Sequence, residues 1–135
     1  MKFPGRFDSL EKIAQVVQQA TREFGLDSCA AYAVETAVDE ACSNIIEHAY
    51  GGEDKGTIDL TYTIEGSELI ITLRDTGKKF NPKKVSPPKL TDQLKYRQTH
   101  GLGLFFMRQW MDEVKFDRVE GYNILTMIKR KGRST

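Results

Sequence analysis

The stretch Val-Asp-Glu-Ala-Cys-Ser-Asn-Ile-Ile-Glu-His-Ala-Tyr, residues 38–50, is typical of a helix packed against a core, because most of its side chains are small or apolar. Within it, Glu40 and Asn44 are four residues apart and point the same way from the helix. A carboxylate or an amide that is buried without a partner costs about 1–3 kcal/mol. The position of this pair on the interior side of the helix therefore requires an explanation, and a bound magnesium nucleotide would provide one.

The composition indicates one ordinary domain, residues 1–135, with balanced charges. Lys and Arg number 20 and Asp and Glu 19, which gives a net charge of +1. Direct binding of nucleic acid would require a strong basic bias. No apolar run approaches the roughly 20 residues of a membrane span, and the first residues lack the apolar stretch of a signal peptide. We therefore expect a cytoplasmic protein. Its cysteines, Cys29 and Cys42, have no metal-type spacing.

Hydrophobic periodicity predicts an α+β fold. The predicted elements are a strand over 2–7, helices over 9–24 and 28–50, strands over 56–65 and 68–74, a helix from 101, and strands over 114–116 and 124–129. A long polar segment separates the third predicted strand from the last helix. This order predicts a two-layer α/β sandwich, with helices on one face of a mixed, mostly antiparallel sheet.

Three groups of residues could meet at one end of such a sandwich. The first is the stripe of Glu40, Asn44 and Glu47 on the second helix. The second is Asp75, which ends a strand just before Gly77. The third is the segment 100–103, His-Gly-Leu-Gly, at the start of the last helix, where backbone N–H groups and the helix dipole favour an anion. Each signal is weak alone, but their combination in this order indicates a nucleotide site.

These motifs together resemble the ATP-binding domain of the GHKL superfamily, which includes gyrase, a heat-shock chaperone, histidine kinases and MutL. The stretch 40–50 resembles the family's N box, 75–82 its first glycine box, and 101–105 its second. The match is closest to the small anti-sigma-factor serine kinases of bacterial stress and sporulation switches, and it covers nearly the whole chain. The resemblance implies a Bergerat-type fold that uses ATP and Mg²⁺.

The resemblance also implies a role for individual residues. Glu40 would be the general base that takes the proton from a serine hydroxyl, and Asn44 would coordinate Mg²⁺. Asp75 would accept a hydrogen bond from the adenine amino group, and Gly77 would leave room for the ring. Residues 83–100 would form a lid over the nucleotide. The other residues that the resemblance places at the nucleotide are Phe80, His100, Gly101, Leu102, Gly103, Leu104 and, through water, Thr126.

Two positions leave a question open. The superfamily's first glycine box often reads Asp-x-Gly-x-Gly, whereas this chain has Lys79 at the second glycine. The motif that follows, 80–82, nevertheless suits the anti-sigma branch. Glu47 adds a carboxylate one turn beyond Asn44, and it is either a supporting partner of the site or a surface acid.

The leading functional hypothesis is an ATP-dependent protein-serine kinase of a partner-switching system. The resemblance implies that it phosphorylates an anti-sigma-factor antagonist of the STAS type, that an alternative sigma factor is a candidate second partner, and that the protein is a homodimer. One alternative is a nucleotide-dependent switch that sequesters a partner without phosphoryl transfer. Another is a detached histidine-kinase catalytic domain, although His48 and His100 both fall inside the expected nucleotide site.

Overall fold

The protein is built on a five-stranded sheet with helices packed on one face. A computed structural model describes residues 1–79 and 107–131. Its elements are β1 (Lys2–Pro4), α1 (Ser9–Phe24), α2 (Ser28–Asn44), a π-helix (Ile45–Ala49), β2 (Thr57–Glu65), β3 (Glu68–Asp75), β4 (Glu113–Val119) and β5 (Tyr122–Arg130). The strand order is β1-β2-β3-β5-β4, and each of these neighbouring pairs is antiparallel. The predicted α+β class is confirmed.

The core lies between the two helices and the sheet face that they cover. In α1 the buried positions Ile13, Val17 and Phe24 recur at helical spacing, as predicted. They meet alternate residues of the strands, because successive side chains of a strand point to opposite faces. The buried strand residues of this core are Ile58, Leu60, Leu69, Ile71, Leu73, Leu125 and Met127.

The helix that carries the 38–50 stretch differs from the prediction at its end. It begins where expected, because the Asp27 side chain accepts a hydrogen bond from the Ala30 N–H at 2.8 Å and so caps the first turn. The regular helix ends at Asn44, however, and the last turn is a π-helix in which the Tyr50 N–H bonds the Ile45 carbonyl at 2.9 Å. Such π turns occur frequently at functional sites.

The strands also differ from the predicted ranges. β1 is shorter because the Arg6 N–H turns back to the Pro4 carbonyl at 2.8 Å. β4 is longer than the expected 114–116, because β5 supplies a pairing partner along its whole length. The last helix is seen only at 107–110, and its predicted start lies outside the described residues. Within the parts of the chain described, no helix has both the length and the apolar character needed to cross a membrane.

Candidate functional site

The first half of the site lies at the C-terminal end of α2. Glu40 is partly buried, and Asn44, the last residue of α2, is also partly buried. Desolvation by burial raises the pKa of the Glu40 carboxyl, and the negative charges of Asp39 and Glu47 raise it further. A raised pKa suits a group that must take up a proton. Glu47 itself is exposed, so it acts on Glu40 through its charge from the surface.

The second half of the site is Asp75, the last residue of β3, whose side chain is almost fully buried. Its Oδ1 accepts hydrogen bonds from the Asn123 amide at 2.8 Å and from the Gly77 N–H at 2.9 Å. Burial raises the pKa of Asp75, while these two hydrogen bonds and the Arg118 charge oppose that rise. Among the described residues, nothing donates a hydrogen bond to Oδ2, which is therefore open to a ligand.

The loop after Asp75 is attached to the end of the helical segment that carries Glu40 and Asn44. The Lys78 N–H donates to the Ala49 carbonyl at 2.7 Å. The Thr76 N–H donates to the Tyr50 hydroxyl at 3.0 Å, and that hydroxyl donates to the Thr57 carbonyl at 2.5 Å. These contacts join the two halves of the predicted site at one end of the sandwich.

A close contact with Ala49 explains why residue 77 is a glycine. This explanation differs from the expected one, which was space for the adenine ring. A Cβ atom at this position would lie 2.4 Å from the Ala49 carbonyl oxygen and 2.8 Å from the Ala49 Cβ. Glycine is therefore required for the loop to approach the end of the π-helix. This close approach accounts for the glycine before any space for a nucleotide ring is considered.

The structure does not bring Thr126 to Asp75. In the register of β3 and β5, Thr126 pairs with Thr72 and Asp75 pairs with Asn123. Because side chains alternate along a strand, Thr126 lies on the open face of the sheet and Asp75 on the face that the helices cover. Asn123 is the residue of β5 that contacts Asp75. The water-mediated contact of Thr126 with adenine, which the family resemblance implies, stays a prediction.

Several predicted residues lie outside the described residues, as does the predicted lid, residues 83–100. These are Phe80, His100, Gly101, Leu102, Gly103 and Leu104. The predicted phosphate-binding residues therefore stay a prediction.

Three residues of the site went unnoticed in the sequence. Asn123 and Arg118 surround Asp75, and Tyr50 fixes the loop that follows it. Tyr50 ends the quoted 38–50 stretch, so its position was a usable signal. The sequence around Asn123 and Arg118 does not reveal their contacts with Asp75 and with the Gly77 carbonyl, because these groups are more than forty residues away in sequence.

The residues present suit a magnesium–adenine nucleotide. The open Oδ2 of a buried carboxylate is a suitable acceptor for an exocyclic amino group. Within 1–79 and 107–131 there is no group of three or more His, Cys, Asp or Glu side chains that could hold a metal ion. A magnesium ion at Asn44 would therefore take most of its ligands from phosphates and water, which is how Mg²⁺ is commonly bound beside nucleotides.

Known proteins resemble this chain over most of its length. A family model described as the histidine kinase-like ATPase domain matches residues 3–129. The serine-protein kinase RsbW of Bacillus mycoides (strain KBAB4) is 28% identical over 129 residues, which cover 93% of this chain and 80% of the relative.

Two solved structures share the fold at low sequence identity. The catalytic domain of the histidine kinase ThkA matches with a TM-score of 0.60 and 15% identity, covering 97% of this chain and 96% of that chain. A chain in the SiaB–SiaC complex from Pseudomonas aeruginosa matches with a TM-score of 0.53 and 12% identity, covering 96% of this chain and 88% of that chain. At these identities the likeness concerns the fold alone.

Proposed function

Because the chain belongs to the histidine kinase-like ATPase domain family, we propose that it is an ATP-dependent protein-serine kinase acting on an anti-sigma-factor antagonist of the STAS type. The similarity to the serine-protein kinase RsbW supports the reaction type. The observation that carries the proposal is the attachment of the Asp75 loop to the helix of Glu40 and Asn44, which joins a base-recognition group to a candidate general base.

Each residue of the site has a proposed role. Asp75 accepts a hydrogen bond from the adenine amino group through Oδ2, and Asn44 contributes an oxygen ligand to Mg²⁺. When bound, Mg-ATP supplies the γ-phosphoryl group and the charge neutralisation that phosphoryl transfer requires. Glu40, with its raised pKa, takes the proton from the attacking serine hydroxyl. Residues 100–104 surround the phosphates, with 83–100 as the lid of a single domain.

The same protein is proposed to bind its partners in alternation. An antagonist is the phosphorylation substrate, and an alternative sigma factor is the second partner, which is released when the antagonist competes. The SiaB–SiaC complex, in which a protein of this fold is assembled with another protein, is compatible with a partner-binding role. We further propose a homodimer through the β1 edge and α1, where Phe3 is partly buried and Phe7 is exposed.

A titration with Mg-ATP tests the nucleotide site without requiring a partner. Asp75→Asn should weaken binding at least about tenfold, because a hydrogen bond to a charged group is lost. Asn44→Ala should weaken binding in the presence of Mg²⁺ and have little effect in EDTA. Asp117→Asn is the matched control, since Asp117 is an exposed carboxylate on β4. Equal affinity of all four proteins would contradict the site assignment.

Incubation with Mg-ATP and a STAS-type antagonist then tests the reaction. Wild type should produce phosphoserine, and Glu40→Ala should bind Mg-ATP normally yet lose at least about 100-fold in rate, as expected for loss of general base catalysis. If ATP alters partner affinity while wild type forms no phosphoserine, the protein is a switch, and the kinase proposal fails.

A further inference from the structure

Asn123 makes an unusually complete set of contacts for a buried amide. Its Nδ2 donates to Asp75 Oδ1 at 2.8 Å and to the Lys78 carbonyl at 2.9 Å, and it lies 3.4 Å from the Gly77 carbonyl. Its Oδ1 accepts a hydrogen bond from Arg118 Nη1 at 3.0 Å. Both hydrogens of the amide and its oxygen are therefore used.

Arg118 and the acceptors around Nδ2 together fix which way this amide points. A guanidinium can only donate, so it requires the oxygen of Asn123, and the Nδ2 of Asn123 then faces Asp75. The same Nη1 also donates to the Gly77 carbonyl at 2.9 Å. Arg118 therefore connects β4 both to the start of β5 and to the loop after β3.

As a result, the two carboxylate oxygens of Asp75 differ in their hydrogen bonding. Oδ1 is committed to two protein donors, the amide of Asn123 and the N–H of Gly77. Within the described part of the chain Oδ2 receives no donor, although the residue is almost fully buried. An unoccupied acceptor on a largely buried residue favours a ligand that presents a hydrogen-bond donor and disfavours one that presents an oxygen at the same place.

We propose that Arg118 and Asn123 are specificity-determining residues of the nucleotide site, which hold Asp75 so that only Oδ2 is offered to the base and only a base with an exocyclic amino donor is accepted. This inference rests on the proposed nucleotide function. It assigns the discrimination to a chain of three residues from three strands, in which Arg118 orients Asn123 and Asn123 orients Asp75. Arg118 and Asn123 are positioning residues, since of these three residues Asp75 alone would contact the base.

Comparing ATP with inosine triphosphate tests this discrimination, because in inosine triphosphate a carbonyl oxygen replaces the amino group at C6 and N1 carries a hydrogen. Their dissociation constants are measured for wild type, Arg118→Gln, Asn123→Ala and Lys115→Gln. Lys115 is the matched control, because it is an exposed cation of the same strand whose residue pairs with Thr126 on the open face. Circular dichroism and thermal unfolding verify that the variants are folded.

We expect wild type and Lys115→Gln to prefer ATP strongly. In Arg118→Gln the affinity for ATP should fall about tenfold and that for inosine triphosphate should change little, so the ratio falls about tenfold. Asn123→Ala should reduce the ratio similarly. Arg118→Lys, which keeps the positive charge and a nitrogen that donates hydrogen bonds, should recover part of it.

Three results would overturn the inference in different ways. An unchanged ratio in Arg118→Gln, or an equal loss for both nucleotides, would make Arg118 a structural residue. A wild type that binds both nucleotides equally would refute the selectivity and leave the nucleotide function intact. A wild type that binds neither nucleotide would refute the proposed function as well. If Asn123→Ala does not fold, the ratio measured for Arg118→Gln decides the outcome, because Arg118 is an exposed residue of β4.

Discussion

At the scale of single residues, two carboxylates of the candidate site are held in surroundings that disfavour their charged forms. Burial raises the pKa of both Asp75 and Glu40, and for Glu40 the neighbouring carboxylates raise it further. A raised pKa in the folded state means that the ionised group opposes folding. Both residues therefore reduce the stability of the protein at neutral pH, as expected for groups retained for function.

Replacing Glu40 by Gln should therefore stabilise the fold at pH 7. Glu40 is only partly buried, so solvent screening keeps the gain in unfolding free energy below about 1 kcal/mol. The folded-state pKa lies above the unfolded one, so the destabilising effect of Glu40 is present above the folded pKa and disappears below the ordinary pKa of glutamate. The gain should therefore shrink as pH falls through this interval.

Urea denaturation at several pH values measures this difference. Glu65→Gln is the control, because Glu65 is exposed at the end of β2. The explanation fails if Glu40→Gln is less stable than wild type at pH 7, or if its gain grows on acidification.

At the scale of elements, the end of the α2 segment and the loop after β3 form one unit. The Tyr50 ring packs so closely on Gly56 that a Cβ atom there would lie 2.3 Å from the ring. Its hydroxyl accepts the Thr76 N–H and donates to the Thr57 carbonyl. One side chain therefore links the π-helix to β2 and to the residue that follows Asp75.

Tyr50→Phe should lower the unfolding free energy by about 1 kcal/mol and weaken Mg-ATP binding, because the Thr76 N–H loses its partner while the ring contact with Gly56 is retained. Chemical denaturation and nucleotide titration measure the two effects. Tyr32→Phe should change neither, because Tyr32 is 70% exposed on α2. Equal behaviour of the two variants would exclude the proposed link.

At the scale of the whole molecule, β1 forms an edge of the described sheet, and a groove of about 610 Å³ lies between this strand and α1. It is lined by Met1, Lys2, Phe3, Lys12, Gln15, Val16 and Gln19. An edge strand offers unpaired backbone groups to another chain. The proposed homodimer would cover this edge.

Introducing a carboxylate into the groove tests the dimer. In Gln15→Glu the new charge would be buried on association, which should weaken the dimer at least about tenfold. Gln109→Glu makes the same change at an exposed position outside the groove residues. Light scattering over a range of concentrations gives the dissociation constants. A monomeric wild type, or a Gln15→Glu protein that dimerises like wild type, would refute this interface.

The α+β class and the two long helices followed from the sequence alone, and the sequence also proposed Glu40, Asn44 and Asp75 as site residues. Helical and strand periodicities are local properties, and the N box and the first glycine box each lie within a short continuous stretch. Family resemblance added the proposed roles, which depend on the order of those stretches. The π turn after Asn44 was missed, because its residues have ordinary helix-forming character.

The surroundings of Asp75 were decided only by the tertiary structure. Strand register brings Asn123 of β5 to Asp75 and turns Thr126 to the opposite face. The contact of Arg118 with the Gly77 carbonyl also joins residues far apart in the chain. Sequence periodicity specifies which face of its own strand a residue occupies. The choice of partner across the sheet depends on the pairing of distant segments, because a shift of one residue in register reverses every side chain.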